Sequence, residues 1–418
     1  MVVTNSEYRH GLGEVTGDLP HLKQIVTVSG PRGEVLCIGD LSFWVEMAKV
    51  GRSFSIKERK IEDLAVVQYT SGSTGLPKGA MWSNRVITSI YPYMKYAIDL
   101  QPTDMFWGAA DPGWAYGLVA CLLGPLFMGN SVIFNENPFT PENCYHALEK
   151  YRVTNFTYAP TAYRALMASG DDLRRKYEIN LRAASSAGEP LNPEVINWFK
   201  KNFGVNIYDH YGLSEMLMIV NNYNASSMPV KVGSMGMPTP SFEVALLDHE
   251  GNRMSTGEVG QIACNTEGQA TAFMGYLDAP EKTKERFVGN WFMTGDMAVQ
   301  DEEGYFCFQG RDDDIISSAG YRIGPFEIES TLVEHPAVAE AAVVGVPDEL
   351  KGEAIKGYVV LRPGVSPSQE LGEELRLFVK NKLAKHQTPK EIEFVSGLPK
   401  TPSGKIQRFL LRENKGKK

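Results

Sequence analysis

Between Val132 and Ile207 short apolar runs alternate with amphipathic runs of helical period, and this alternation limits the possible folds more than any other feature of the chain. Val132-Ile133-Phe134, Asn155-Phe156-Thr157-Tyr158 and Leu181-Arg182-Ala183-Ala184-Ser185 read as strands, and residues 141–151, 162–168 and 193–203 read as helices. Strands separated by helices of this length make parallel βαβ units, so the expected class is α/β with doubly wound sheets. Ligands of such sheets sit beyond the carboxyl ends of the strands. Polar clusters fall at those places: after Val67, after Tyr158 (Ala159-Pro160-Thr161), after Ala184 (Ser185-Ser186-Ala187-Gly188-Glu189-Pro190) and after Ile207 (Tyr208-Asp209-His210-Tyr211-Gly212-Leu213-Ser214-Glu215).

The first cluster is Tyr69-Thr70-Ser71-Gly72-Ser73-Thr74-Gly75-Leu76-Pro77-Lys78-Gly79, following the apolar Leu64-Ala65-Val66-Val67. Backbone N–H groups of a glycine-rich loop can form a concave nest for phosphate oxygens, to which hydroxyls and a lysine add matched contacts. A Walker A loop would need Gly in place of Pro77 and Ser or Thr in place of Gly79. The stretch therefore suits nucleotide phosphates outside the P-loop fold; the blander alternative is a Gly/Ser linker.

The length of 418 residues allows two or three domains, and 43% apolar with 22% charged residues is ordinary for a globular chain. A net charge of −8 opposes general nucleic-acid binding. Five scattered cysteines without a C-x-x-C pair suit reduced thiols and a cytoplasmic location better than a disulfide framework or zinc site. Residues 1–20 lack the basic-then-apolar layout of a secretory signal. No charge occurs between Asp111 and Glu136, but Gly124-Pro125 and Gly129-Asn130 divide that run, which reads as helix, turn and a strand at Ser131-Val132-Ile133-Phe134 rather than a membrane span.

From about residue 230 the texture becomes β-rich, suggesting a small β-barrel or sandwich up to about residue 310. Residues 311–418 then read as a compact α+β unit, so a domain of residues 1–310 and a C-terminal domain of residues 311–418 are expected. Three further clusters stand out. Glu215 could hold Mg²⁺, which takes few carboxylates together with substrate phosphates, or could merely cap a following helix. Thr294-Gly295-Asp296 places an acid where ribose hydroxyls could be bound. The run Gly310-Arg311-Asp312-Asp313-Asp314 puts three carboxylates in a row, which suits a surface loop or hinge. Near the end, Pro402-Ser403-Gly404-Lys405-Ile406-Gln407-Arg408 sets one lysine on a glycine-flanked turn.

In this order the clusters at 69–79, 211–215, 294–296, 310–329 and 402–408 resemble the motif set of the adenylate-forming superfamily of acyl-CoA synthetases, peptide-synthetase adenylation domains and luciferase. Asp111-Pro112-Gly113-Trp114, Gly188-Glu189-Pro190 and Gly320-Tyr321-Arg322 are most similar to the acetyl-CoA and medium-chain acyl-CoA synthetases. The resemblance implies two half-reactions: a carboxylate and ATP give acyl-AMP and pyrophosphate, then the CoA thiol displaces AMP. It implies ATP, Mg²⁺ and CoA as cofactors or co-substrates, a small carboxylate as partner, and neither nucleic acid nor a membrane span; a homodimer is left open. By the same resemblance Thr70, Ser71, Gly72, Ser73, Thr74, Gly75, Leu76, Pro77 and Lys78 cradle the pyrophosphate end, Thr74 and Lys78 with catalytic roles, and Glu215 holds Mg²⁺. Gly188, Glu189 and Pro190 line the adenine, and Asp209 reaches its amino group. His210, Tyr211, Gly212, Leu213, Ser214, Asp296, Arg311 and Arg322 complete the nucleotide set, Asp296 on the ribose, while by itself His210 reads as a packing residue. Lys405 bridges carboxylate and α-phosphate.

Members of the superfamily rotate the C-terminal domain between half-reactions, and the matching hinge is Asp313. Ala319, Gly320 and Tyr321 would then border the CoA tunnel, with Lys351 and Lys390 on the CoA phosphates. Trp114, Tyr211 and Gly212 form the acyl pocket. Acetate-specific relatives carry tryptophan where Gly212 stands, which implies an open pocket for a short-branched, medium-chain or aryl acid. Relatives also carry well over a hundred residues ahead of the glycine-rich loop, so exposed sheet edges are expected here. Two other readings remain: a nucleotide-binding fragment without turnover, and an adenylating enzyme that passes its acyl group to a carrier protein.

Overall fold

The computed structural model describes all residues except 7, 29–36, 38, 71–76, 227, 269–270, 349, 401–405 and 414–418. By contacts the chain divides into Met1–Arg59 and Lys60–Lys418. In the first unit, strands Val2–Asn5, Ile25–Val28 and Leu41–Ser42 form a parallel sheet in that order. Arg9 grips Asp40 with two hydrogen bonds of 2.7 and 2.9 Å, and Ser42 Oγ caps the helix Phe43–Lys49.

The second unit is built around a six-stranded sheet. Its order is Met237–Pro238, Leu217–Asn221, Ile207–Leu213, Ala183–Ala187, Asn155–Tyr158, Phe106–Gly108, and the last four strands run parallel. The helix Pro193–Phe203 shows why the alternating pattern folds this way. Pro193 starts it, where its missing N–H costs nothing; Val195, Ile196 and Phe199 recur on one face and are buried; Gly204 ends it at φ +78°. That face meets Phe156 and Tyr163 in a core where Phe199 and Phe203 stack at 4.1 Å. Burying side chains of this size contributes about 1.5–3 kcal/mol each, which holds the helix against the sheet.

Two expectations for this region fail. Residues 131–134 form no strand, and the helix Gly117–Leu123 runs straight into Gly124–Phe127, since Pro125 falls in a first helical turn where its ring is tolerated. The break comes only at Gly129, φ +83°. No helix among the described residues is long and apolar enough to cross a membrane.

Leu64–Thr70 and Lys78–Ser83 pair as a hairpin with Thr70 opposite Lys78, and Phe273–Tyr276 adds a third antiparallel strand on the other side of Lys78–Ser83. Leu64–Thr70 is thus an edge strand. The β-rich stretch forms a five-stranded antiparallel sheet around Val259–Asn265 and Trp291–Gln300. The C-terminal stretch forms a second five-stranded sheet centred on Gly352–Leu361, packed against helices Pro325–Val333 and Gln369–Lys382. All five cysteines are free thiols, and burial pushes the Cys121 and Cys264 thiols up to about 12, which makes them inert at neutral pH.

Candidate active site

A cleft of about 2440 Å³ opens at the carboxyl ends of the parallel strands, walled by the hairpin, the β-rich sheet and the C-terminal segment. It is lined by Thr70, Lys78, Gly188, Glu189, Pro190, Asp209, His210, Tyr211, Gly212, Leu213, Ser214, Glu215, Asp296 and Arg311, so nearly the whole described part of the expected nucleotide set lies around one space. Ser71, Gly72, Ser73, Thr74, Gly75, Leu76 and Lys405 lie outside the described residues.

The cluster after Ile207 is strand rather than loop. Ile207–Leu213 continues through Asp209, His210 and Tyr211, and turns at residues 214–216 into the antiparallel Leu217–Asn221. Glu215 therefore stands at a hairpin tip and caps no helix. Trp82 anchors that tip by donating its indole N–H to the Ser214 carbonyl at 2.8 Å. Asp209 is buried, which pushes its carboxyl well above the usual range, and its Oδ1 has no hydrogen-bond partner among the described residues. A buried acceptor without a donor is costly unless a ligand supplies one. His210 is saturated instead: Nε2 donates to the Asn222 carbonyl at 3.0 Å, Nδ1 accepts from Tyr93 at 2.9 Å, and burial lowers its pKa to about 3, so it stays neutral. Tyr93 in turn meets Tyr116, which meets Thr157 at 2.6 Å, a polar chain that stiffens the wall behind the cleft.

Tyr211, expected to line the acyl pocket, donates its hydroxyl to Asp296 Oδ2 at 2.7 Å. Asp296 is aimed by a local irregularity within the strand Trp291–Gln300, with Gly295 at φ +80° and the Asp296 N–H on Thr294 Oγ1. Arg311 sits directly across the sheet from Asp296. Glu189 accepts from Thr161 and Arg164 at 2.9 and 2.7 Å, so its carboxylate braces the cleft wall.

Gly212 has a different basis from an open pocket. A Cβ there would collide with the Leu217 carbonyl and crowd the Met218 sulfur, because the hairpin brings Met218 directly opposite. Glycine is required by close approach of backbone to backbone. Gly212→Ala is expected to destabilise the unit by about 1–3 kcal/mol, the usual cost of overpacking, read as a lowered urea midpoint by near-UV circular dichroism.

Of the three carboxylates at 312–314, only Asp313 is exposed. Asp314 is buried and paired with Arg408 (3.3 Å) and Arg412; Arg408 also reaches Glu329 at 2.8 Å. The three-carboxylate run is therefore not a uniform surface loop, since these arginines supply the charge that lets Asp314 sit inside.

The residues expected around CoA assemble elsewhere. Ala319 donates its N–H to the Lys351 carbonyl, and Lys390 pairs with Asp348 at 2.8 Å, holding that carboxyl down at about 2. Asp348 also accepts the Lys351 N–H. Tyr321 is half exposed and stacks on His386 at 4.2 Å. None of Ala319, Gly320, Tyr321, Lys351 and Lys390 lines the cleft, and Arg322 turns to Asp312 at 3.0 Å rather than inward.

Two cleft residues escaped the sequence reading, Arg286 and Tyr276. Arg286 donates to the Thr294 carbonyl behind Asp296. Tyr276 donates to Glu215 Oε1 at 2.5 Å and lies 5.2 Å beneath the Lys78 ammonium. Arg286 ends the charged run Glu281-Lys282-Thr283-Lys284-Glu285-Arg286, which reads as a solvated face, and for Tyr276 it is cross-strand pairing with Ala80 that brings the hydroxyl to the site.

A cleft at strand ends, with a lysine, a hairpin-tip carboxylate, a buried acid with one unpartnered oxygen and an aspartate–arginine pair around it, suits an α/β nucleotide-binding protein. Residues 5–277 match the AMP-binding enzyme family and residues 327–405 match the AMP-binding enzyme C-terminal domain, and the chain belongs to this family. It is acyl-CoA synthetase-like: it is 42% identical over 398 residues to the acetyl-coenzyme A synthetase of Bacillus subtilis (strain 168), covering 94% of this chain and 68% of that one. The crystal structure of a Brucella canis acyl-CoA synthetase matches 99% of this chain and 74% of its own at 44% identity and TM-score 0.72. That of the anthranilate CoA ligase AuaEII in complex with anthranoyl-AMP matches 98% and 77% at 31% identity and TM-score 0.89.

Proposed function

We propose that the chain is an ATP-dependent acyl-CoA ligase that joins a short-branched, medium-chain or aryl carboxylate to CoA through an acyl-adenylate. The observation that carries the reading is the convergence of Lys78, Glu215, Asp209 and Asp296 on one cleft. In the first half-reaction a carboxylate oxygen bonds to the α-phosphorus of ATP and the bond to pyrophosphate breaks. In the second the CoA sulfur bonds to the acyl carbon, AMP leaves and a proton is released. Neither step needs a covalent enzyme intermediate, so the protein's work is positioning and charge stabilisation.

Asp209 Oδ1 is the acceptor for the adenine amino group. Asp296, held by Tyr211, takes the ribose hydroxyls, and Lys78 with Thr70 faces the phosphates. No group of three or more His, Cys, Asp or Glu residues able to hold a metal exists among the described residues, which excludes an all-protein cage there. A single carboxylate fits Mg²⁺ that takes its remaining ligands from phosphates and water, and Glu215 offers Oε2 for it. When bound, Mg²⁺ neutralises phosphate charge.

The separation of the expected CoA residues from the cleft supports the two-state reading: the described residues flanking Lys405 line the cleft, and a rotation about Asp313 exchanges them for the Ala319–Gly320–Tyr321 turn. The acid preference rests on the apolar wall of Trp114, Val119, Ala120 and Leu217, where each buried methylene is worth about 0.8 kcal/mol. ATP–pyrophosphate exchange over C2 to C10 and aromatic acids, with CoA and a phosphopantetheinyl carrier compared as acceptors, tests this. Exchange with no acid at all overturns the ligase reading, and acetate as the best substrate overturns the acid assignment.

A further inference from the structure

Lys78 and Glu215 carry opposite charges and face the same tyrosine, yet no ion pair joins them among the described residues. Such a pair would neutralise the cation meant for phosphate and the carboxylate meant for metal. Tyr276 separates them. Its hydroxyl donates to Glu215 Oε1 at 2.5 Å, while the face of its ring holds the Lys78 ammonium at 5.2 Å, a cation–π contact. Oε2 of Glu215 is left without a hydrogen-bond partner among the described residues. We propose that Tyr276 is a positioning residue that keeps Lys78 and Glu215 apart and points one carboxylate oxygen at the metal accompanying the nucleotide. The proposal rests on the reading of the cleft as an ATP site.

The surroundings fix Tyr276 for this task. Its strand pairs with Lys78–Ser83 so that Tyr276 lies opposite Ala80 and diagonal to Lys78, within reach of a long side chain. The Leu277 N–H on the Gly79 carbonyl and the Tyr276 N–H on Thr283 Oγ1 lock the backbone. Gly275 at φ +114° lets the strand kink immediately before it. The Ser214 carbonyl on Trp82 fixes the hairpin tip, so the hydroxyl selects the carboxylate rotamer rather than the backbone position.

The two halves of the role separate by substitution. Tyr276→Phe keeps the ring under Lys78 and loses the hydroxyl. Tyr276→Leu loses both and frees Lys78 to pair with Glu215. With the full chain and a non-hydrolysable ATP analogue, Mn²⁺ affinity is measured by electron paramagnetic resonance, and analogue affinity in EDTA by calorimetry. Tyr276→Phe should weaken Mn²⁺ about tenfold, in the range seen for residues that orient a metal ligand, with analogue affinity in EDTA unchanged. Tyr276→Leu should weaken both. In active enzyme, Tyr276→Phe should raise the Mg²⁺ concentration for half-maximal pyrophosphate exchange by the same factor. Unchanged Mn²⁺ affinity in Tyr276→Phe, or equal loss of metal and analogue binding together with a lowered thermal midpoint, overturns the proposal. Wild-type chain that shows no exchange with any acid while the Mn²⁺ shift persists refutes the ligase function and leaves the role of Tyr276 intact.

Discussion

Lys405→Ala is expected to lower acid-dependent ATP–pyrophosphate exchange by about 10²–10³-fold while thioester formation from supplied acyl-AMP changes little. The magnitude is that of removing one preorganised donor from the charge developing in a transition state. The asymmetry follows from where neighbouring residues lie. Lys400 and Ile406 pair across an antiparallel bridge and both line the cleft, so the described ends of the lysine-bearing stretch open on the same space as Asp296 and Arg311. The residues proposed for CoA do not line that cleft, so the proposed second half-reaction would draw on a different set. Measuring the two half-reactions separately on one variant checks this, and equal loss in both removes Lys405 from the role.

Arg408→Met should destabilise the C-terminal α+β unit by about 3 kcal/mol, because it leaves Glu329 and Asp314 buried with part of their charge uncompensated. Arg408 is 18% exposed, Asp314 12% and Glu329 7% at the side chain, so solvent relieves little of the loss. Glu329 retains the Val343 N–H and Asp314 retains Arg412, which keeps the cost moderate. Amide exchange in Val338–Asp348 and Gly352–Leu361 is the direct readout: it should accelerate in the variant while exchange in Ala183–Ala187 stays as in the parent chain. Acceleration confined to neither strand would contradict the assigned role of Arg408.

What could be read from residues alone is uneven for physical reasons. The helix Pro193–Phe203 is legible to the residue because a proline start, a repeating apolar face and a glycine stop coincide locally. Val132-Ile133-Phe134 misleads because its apolar side chains wall the cleft instead of facing a neighbouring strand, and composition does not distinguish those two uses. The residues proposed to face the nucleotide are recognisable as ordered clusters, and the cleft collects most of those described. The placements of Tyr276 and Asp314 are not local: Tyr276 meets Glu215, 61 positions away, and Asp314 meets Arg412, 98 positions away, which no window over the chain displays. Gly212 shows a third case, in which the residue type was informative but its cause, a carbonyl pressed against Cα, appears only in the folded hairpin.

Asp313 and Asp314 are adjacent, yet one faces water and the other is bolted by two arginines to the segment that follows Lys405. Mechanically, this sets a free joint beside a fixed plate. In the proposed rotation about Asp313, Asp314 would move as one body with Arg408 and Arg412, so the change of backbone angles falls on residue 313 and not on its neighbour. A proline at residue 313 is then expected to alter that rotation while leaving the Asp314 ion pairs in place.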